Sequence, residues 1–147
     1  MRHACGPFSW TPRAPFQRCF AWAEFFDTQT NMKRLRNHLI GIDQGNAVLF
    51  SDFETDGEMW TGNGQRERLL RINFSEPFRA APTVHLTLSM WDIDNAAVIR
   101  GDLQAEAITN EGFDMVFRTW GDTRVARLRA GWLAIGELRQ ADDWDLY

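Results

Sequence analysis

The sequence predicts an all-β fold: a six-stranded antiparallel β-sandwich behind an irregular N-terminal extension. Three observations carry this prediction. From residue 39 onward, short stretches of alternating apolar and polar residues are separated by turns containing Gly, Asn or Asp. Each stretch presents one apolar row, and six such rows are buried by two sheets packed face to face but not by a single open sheet. The connections are too short for crossover helices, which argues against a parallel sheet.

The first strand covers Ala47–Phe50 and follows Gln44-Gly45. A long loop, SDFETDGEMWTGNGQ, comes next, with Gly57, Gly62 and Gly64. Arg66–Phe74 is the second strand, where Leu70, Ile72 and Phe74 share a face by period two. The third, Pro82–Trp91, turns Val84, Leu86, Leu88 and Met90 one way and His85, Thr87 and Ser89 the other. Val98–Ile108 repeats the alternation with Leu103, Ala105 and Ala107. Asn110-Glu111-Gly112 is a turn, so Phe113–Thr119 returns as the hairpin partner with Phe113, Met115 and Phe117 inward. After a turn at Gly121-Asp122, Arg124–Gly136 is the last strand. It points Ala126, Leu128, Ala130, Trp132 and Ala134 inward and Arg127 and Arg129 outward.

These elements divide the chain into an extension or docking arm (1–37), the sandwich (38–137) and an acidic tail (138–147) with Trp144, Leu146 and Tyr147. Residues 1–31 carry three of the five prolines and both cysteines, and Met32 opens a cleaner segment. Two readings of that stretch stand side by side: Met32 is the true start, or the preceding residues are an arm that docks on a partner. Cys5 and Cys19 are expected to be free thiols, and with His3, His38 and His85 scattered they do not make a zinc site. Pro7, Pro12, Pro15 and Arg18 break any apolar stretch, so no secretory signal is expected; export by another route stays open. No run approaches the roughly 20 apolar residues of a membrane-spanning helix. A net charge of -4 and a pI near 5.3 argue against nucleic acid as a partner.

Catalytic signatures are missing. There is no Gly-x-Ser-x-Gly and no phosphate loop, and His85 falls mid-strand on a polar face where solvation is the ordinary state. Asp52, Glu54, Asp56 and Glu58 resemble calcium-ligand spacing, but Asn63 stands at the position of the bidentate Glu and no helices are expected to flank the loop, so a solvated acidic loop is expected. No enzyme, no metal and no cofactor is expected. Asp92, ending the third strand, is expected to accept backbone N–H groups of the following turn. Arg100 has a plain reading as a strand-start arginine paired with Asp94 or Asp102.

A polar constellation does fall at strand ends. Trp120-Gly121-Asp122 places an aromatic ring beside a carboxylate, Arg100 begins a strand near it, and the long loop adds Trp60, Thr61, Asn63 and Gly64. Sugar recognition uses these types: carboxylates and amides for vicinal hydroxyls, an arginine fork, and an apolar ring for the C–H face.

Residues 44–136 resemble an H-type lectin domain, the family of snail agglutinins and of the carboxy-terminal domain of discoidins. The resemblance lies in Val48-Leu49-Phe50, Ile72-Asn73-Phe74 with Pro77-Phe78, Pro82-Thr83-Val84 up to Asp92, and Val98-Ile99-Arg100. It continues through Ile108 to Phe113, Thr119-Trp120 with Asp122-Thr123-Arg124-Val125, and Gly131 to Gly136. It implies a six-stranded antiparallel sandwich that forms homotrimers and binds N-acetylgalactosamine or galactose without metal, in sites between neighbouring copies. By position it implies carbohydrate contacts at Asn63, Arg100, Trp120, Gly121 and Asp122, with Arg100 reaching the sugar of a neighbouring copy and Asp56 a lesser alternative to Asn63. The chain departs from the snail members at three contacts: Gly121 replaces a His, Ala126 a Tyr, and Asn63 the key Asp. Phe117 replaces a disulfide cysteine. The resemblance therefore implies a lectin-like module for galactose-type or capsular glycans, in the setting of an adhesin on a phage-like particle with other particle or spike proteins as partners. The rival expectation is an assembly protein that kept the fold and lost the sugar.

Overall fold

Period-two alternation becomes strand at all six expected places. The computed structural model describes residues 32–36 and 39–139, and the expectations for Cys5, Cys19, the proline-rich start and the tail beyond Arg139 lie outside them. Contacts separate Met1–Met32 from Lys33–Tyr147, and the sandwich belongs to the second unit. The strands are β1 (Ile40–Ser51), β2 (Arg66–Asn73), β3 (Thr83–Ile93), β4 (Asp102–Glu106), β5 (Gly112–Thr119) and β6 (Val125–Glu137), with a one-turn helix α1 (Glu58–Thr61) between β1 and β2. They form two three-stranded antiparallel sheets of order β1-β6-β3 and β2-β5-β4.

The two central strands supply the core. Phe113, Met115 and Phe117 of β5 and Leu128, Ala130 and Ala134 of β6 are buried, as their inward rows require. Phe74, Phe78, Phe113 and Trp132 form one aromatic cluster, with Phe74 and Phe78 edge to face at 5.0 Å. Phe50, Met59, Val125 and Leu128 gather with Phe117 nearer the opposite end. Burial of such side chains contributes about 1.5–3 kcal/mol each and dominates the fold's stability.

Four expectations need correction. β1 is 12 residues long, far beyond Ala47–Phe50. Its inward row contains Gly41, Asp43, Gly45 and Ala47, which carry no hydrophobic signal, while Ile40, Ile42 and Val48 point outward. The fourth strand is confined to Asp102–Glu106, because hydroxyls take over the pairing of the residues before it. The Arg100 N–H donates to Thr123 Oγ1 at 3.2 Å, and Thr119 Oγ1 donates to the Arg100 carbonyl at 2.7 Å. Ala107, at φ 46, ends that strand. The acidic loop is not simply solvated. Asp52 is buried, accepts the Met59 N–H at 3.0 Å and pairs with Arg68 at 3.1 Å, holding α1 in place. Finally, Asp92 lies within β3 and pairs with Arg127 at 2.9 Å rather than with a turn's backbone.

Ordered structure also extends past the expected domain edges. Lys33 Nζ donates to the Ala81 and Pro82 carbonyls at 2.8 and 2.7 Å, and Leu138 forms a bridge with Phe78.

Candidate functional site

Antiparallel order sends the β1–β2, β3–β4 and β5–β6 connections to one end of the sandwich. There they enclose a polar cleft of about 440 Å³ lined by Thr61, Gly62, Asn63, Asp94, Ala96, Ala97, Asp122 and Arg124. The lining residues carry two carboxylates, one guanidinium, one amide and one hydroxyl, the hydroxyl of Thr61 donating to the Asp56 and Gly57 carbonyls and Asn63 Oδ1 accepting the Gly64 N–H. Such a set suits a hydroxyl-rich ligand, since carboxylates and amides accept and donate to vicinal hydroxyls.

Each wall has a local cause. Asp94 Oδ1 accepts the Ala96 N–H at 3.0 Å, an Asx turn that starts the β3–β4 loop. Gly121 sits at φ 68, a left-handed conformation natural for glycine. Its carbonyl accepts the Gly64 N–H at 2.9 Å, an N–H shared with Asn63 Oδ1 at 2.7 Å, so the β1–β2 loop and the β5–β6 turn are joined through their backbones. Thr123, fully buried, donates from Oγ1 to the Val98 carbonyl at 2.6 Å and ties the β3–β4 connection to the same turn. Beneath them Arg66 is buried, and its guanidinium donates to carbonyls of both loops.

Arg100 Nη1 donates to Asp122 Oδ1 at 2.7 Å. This corrects the sequence-based partner: Asp102 instead accepts from Gln104 and Asp94 caps its own turn. The Arg100 hydrogen bond, followed by a bond to its own backbone, lowers the Asp122 pKa, so Asp122 is a carboxylate over the whole physiological range. A Cβ added to Gly121 would lie 2.9 Å from Arg100 Nη1. Glycine at 121 thus leaves room for the Arg100 side chain as it crosses the turn to Asp122.

Of the five residues expected from sequence, Asn63 and Asp122 line the cleft, Arg100 braces Asp122, and Gly121 shapes the turn. Trp120 is exposed beside them without lining the cleft. Asp56, at φ 51, lies in the exposed β1–β2 turn and its carbonyl accepts from Thr61 Oγ1. Sequence reasoning missed Asp94 and Arg124 as cleft residues. The available signal was strand parity, which puts the end of β3 and the start of β6 at the same pole as Asn63. No group of three or more His, Cys, Asp or Glu that could hold a metal ion occurs among the described residues.

The outer face of the β1-β6-β3 sheet has a different character. A shallow groove of about 570 Å³ runs over Gln44, Gly45, Asn46, His85, Thr87, Gly131, Trp132 and Leu133. Ile42 and Ile135 pair beside it, and Ile42 is 67% exposed.

A two-sheet antiparallel sandwich with a polar cleft between its loops defines a class of small binding modules, lectin-like domains among them. The H-type lectin domain model matches residues 70–135. The chain is 37% identical over 75 residues to discoidin-1 of Dictyostelium discoideum, covering 50% of this chain and 30% of that protein. It is 54% identical over 107 residues to the ATP synthase subunits region ORF 7 protein of Fuscovulum blasticum, covering 73% of this chain and 93% of that one. The structure of discoidin II from Dictyostelium discoideum shares the fold, with a TM-score of 0.60 at 23% identity over 75% of this chain and 41% of that chain. Residues 70–135 of the chain form an H-type lectin domain.

Proposed function

We propose that this protein binds carbohydrate without metal, acts as a recognition module rather than an enzyme, and takes a galactose- or N-acetylgalactosamine-type residue of a glycan in the cleft at the loop pole. The observation that carries this reading is the Arg100–Asp122 pair beside Asn63. It holds a charged acceptor at the cleft wall, which Asn63 and Arg124 also line. With Asp94 and Asp122 balanced by Arg124 and Arg100, the site carries no net charge, which suits a neutral hydroxyl-rich sugar.

The same reading includes a homotrimer formed through the outer face of the β1-β6-β3 sheet, supported by the exposed Ile40, Ile42 and Val48. Three weak sites on one assembly gain avidity, which suits a surface adhesin such as one carried on a phage-like particle. Calorimetric titration with N-acetylgalactosamine, galactose and a uronate-containing oligosaccharide tests the site. Binding of the neutral sugars with at most millimolar Kd is the expected result; no heat from any of them at millimolar sugar removes the proposal. The exposed apolar row also favours a second reading, an assembly protein with the lectin fold, and silence in that titration together with stable self-association would select it.

A further inference from the structure

We infer that Arg66 is the positioning residue of the cleft: one buried guanidinium that locks the β1–β2 loop to the β5–β6 turn and so sets the spacing between Asn63 and Asp122. The inference deepens the carbohydrate-binding reading and rests on it for its effect on affinity.

The geometry is specific. Arg66 begins β2 and is only 3% exposed. From Nη1 it donates to the Gly62 carbonyl at 2.9 Å, with longer contacts to the Met59 and Glu58 carbonyls at 3.3 and 3.4 Å. From Nη2 it donates to the Thr123 carbonyl at 2.6 Å and to that of Gly121 at 3.3 Å. Nε donates to the Gly64 carbonyl at 3.2 Å. The Nη1 and Nε bonds hold the loop that carries Asn63; the Nη2 bonds hold the turn that carries Asp122. Because the guanidinium is planar and rigid, the two sides cannot separate without breaking one set. Burial lowers the Arg66 pKa, with nearby Glu58 opposing, yet arginine stays charged under any physiological condition. A buried cation satisfied by carbonyl dipoles is costly to remove, because its loss strands several acceptors at once.

Lysine cannot do the same. Its ammonium is a point donor and cannot span from Gly62 to Thr123 in one plane. Arg66→Lys is therefore expected to keep β2, β5 and β6 while loosening the Gly64-to-Gly121 backbone bond. Three measurements test this. In the wild-type protein, the Gly64 amide should exchange with solvent as slowly as strand amides of β2 and β5; exchange at an unprotected loop rate overturns the inference without any variant. In Arg66→Lys, Gly64 protection should fall by about ten-fold or more while core amides of β5 and β6 stay protected. Titration with N-acetylgalactosamine should show about ten-fold weaker binding, since a site held too loosely loses affinity. Unchanged Gly64 protection and unchanged affinity in Arg66→Lys would refute the positioning role. A uniform loss of protection across all strands would mark Arg66 as a general stabiliser and overturn it as well. If the wild-type protein binds no sugar, the carbohydrate reading fails, and the exchange measurements still decide what Arg66 does.

Discussion

A glycine sits directly against the charged pair at the cleft. Gly121 at φ 68 both turns the chain and leaves room for Arg100 Nη1, which a Cβ would approach to 2.9 Å. Gly121→Ala should therefore combine a left-handed strain of about 1–2 kcal/mol with displacement of the arginine. Thermal unfolding should register a lower Tm, and titration a weaker sugar; an unchanged Tm would contradict the strain. Arg100→Ala isolates the second effect. The pair it makes is solvent-exposed, so folding should hardly change. Its loss removes the brace on Asp122 and a charge-assisted donor beside the cleft. Affinity for N-acetylgalactosamine should fall by about 10- to 150-fold, the equivalent of about 1.5–3 kcal/mol. Arg100→Lys should recover only part, because an ammonium lacks the fork. Equal affinity for wild type and Arg100→Ala would remove Arg100 from the site. Acid works in a known direction here. Because the folded-state pKa of Asp122 is lowered, the Arg100–Asp122 attraction is present above the ordinary carboxylate range and disappears only as pH falls through the depressed value.

At the scale of elements, two carboxylates that look alike in sequence behave differently. Asp52 is buried and joins α1 to β2 through Met59 N–H and Arg68, whereas Asp92 makes an exposed pair with Arg127 on the outer face of β3. Asp52→Ala leaves a buried N–H without its acceptor and should cost about 1–3 kcal/mol. Asp92→Ala should cost about 0–1 kcal/mol. Denaturant titration of both variants checks the contrast, and equal losses would refute it. The same contrast shows what the sequence made legible. Strands with one clean apolar row, such as Phe113-Met115-Phe117 and Leu128-Ala130-Trp132, were readable because burial on one face imposes period two. β1 was not, because Gly41, Asp43 and Gly45 fill its inward row where Trp132 and Leu138 press against it. α1 was invisible because one turn is too short for a helical period and its stability comes from Asp52. Asn63, Gly121 and Asp122 were legible as turn chemistry. Arg66 was not, since an arginine at a strand start normally points to water and only the meeting of two loops buries it.

At the scale of the whole sandwich, the two sheets have unlike outer faces, and that asymmetry bears on assembly. The β2-β5-β4 face carries a charged lattice: Arg118 pairs with Glu67 and Glu106, and Arg71 with Asp114. Such a surface is well solvated and repels close packing. The β1-β6-β3 face carries the Asp92–Arg127 pair and Arg129 towards the loop pole, but beyond them Ile40, Ile42 and Val48 lie in the open, with Leu133 and Ile135 half-buried beside them and a groove floored by Gly45 and Gly131. Copies of the chain that meet through this face would cover its apolar row and leave the loop pole, with Asn63 and Asp122, facing outward around the axis. Ile42 is the most exposed of the row, so Ile42→Arg should be tolerated by the fold, whose core lies on the other side of the sheet. The same change would place a charge in the contact that joins the copies, where burial without a partner is strongly unfavourable. Sedimentation equilibrium should find a trimer for wild type and a monomer for Ile42→Arg at equal concentration, with the same circular dichroism. Each monomer should bind free N-acetylgalactosamine as the trimer does if each cleft is complete within one chain, and more weakly if Arg100 of a neighbouring copy also reaches the sugar. Adhesion to a glycan-coated surface should nevertheless drop by about 100-fold or more, because avidity vanishes with the assembly. A wild-type protein that sediments as a monomer at tens of micromolar would remove this face from assembly. A trimer unaffected by Ile42→Arg would place the contact on another surface.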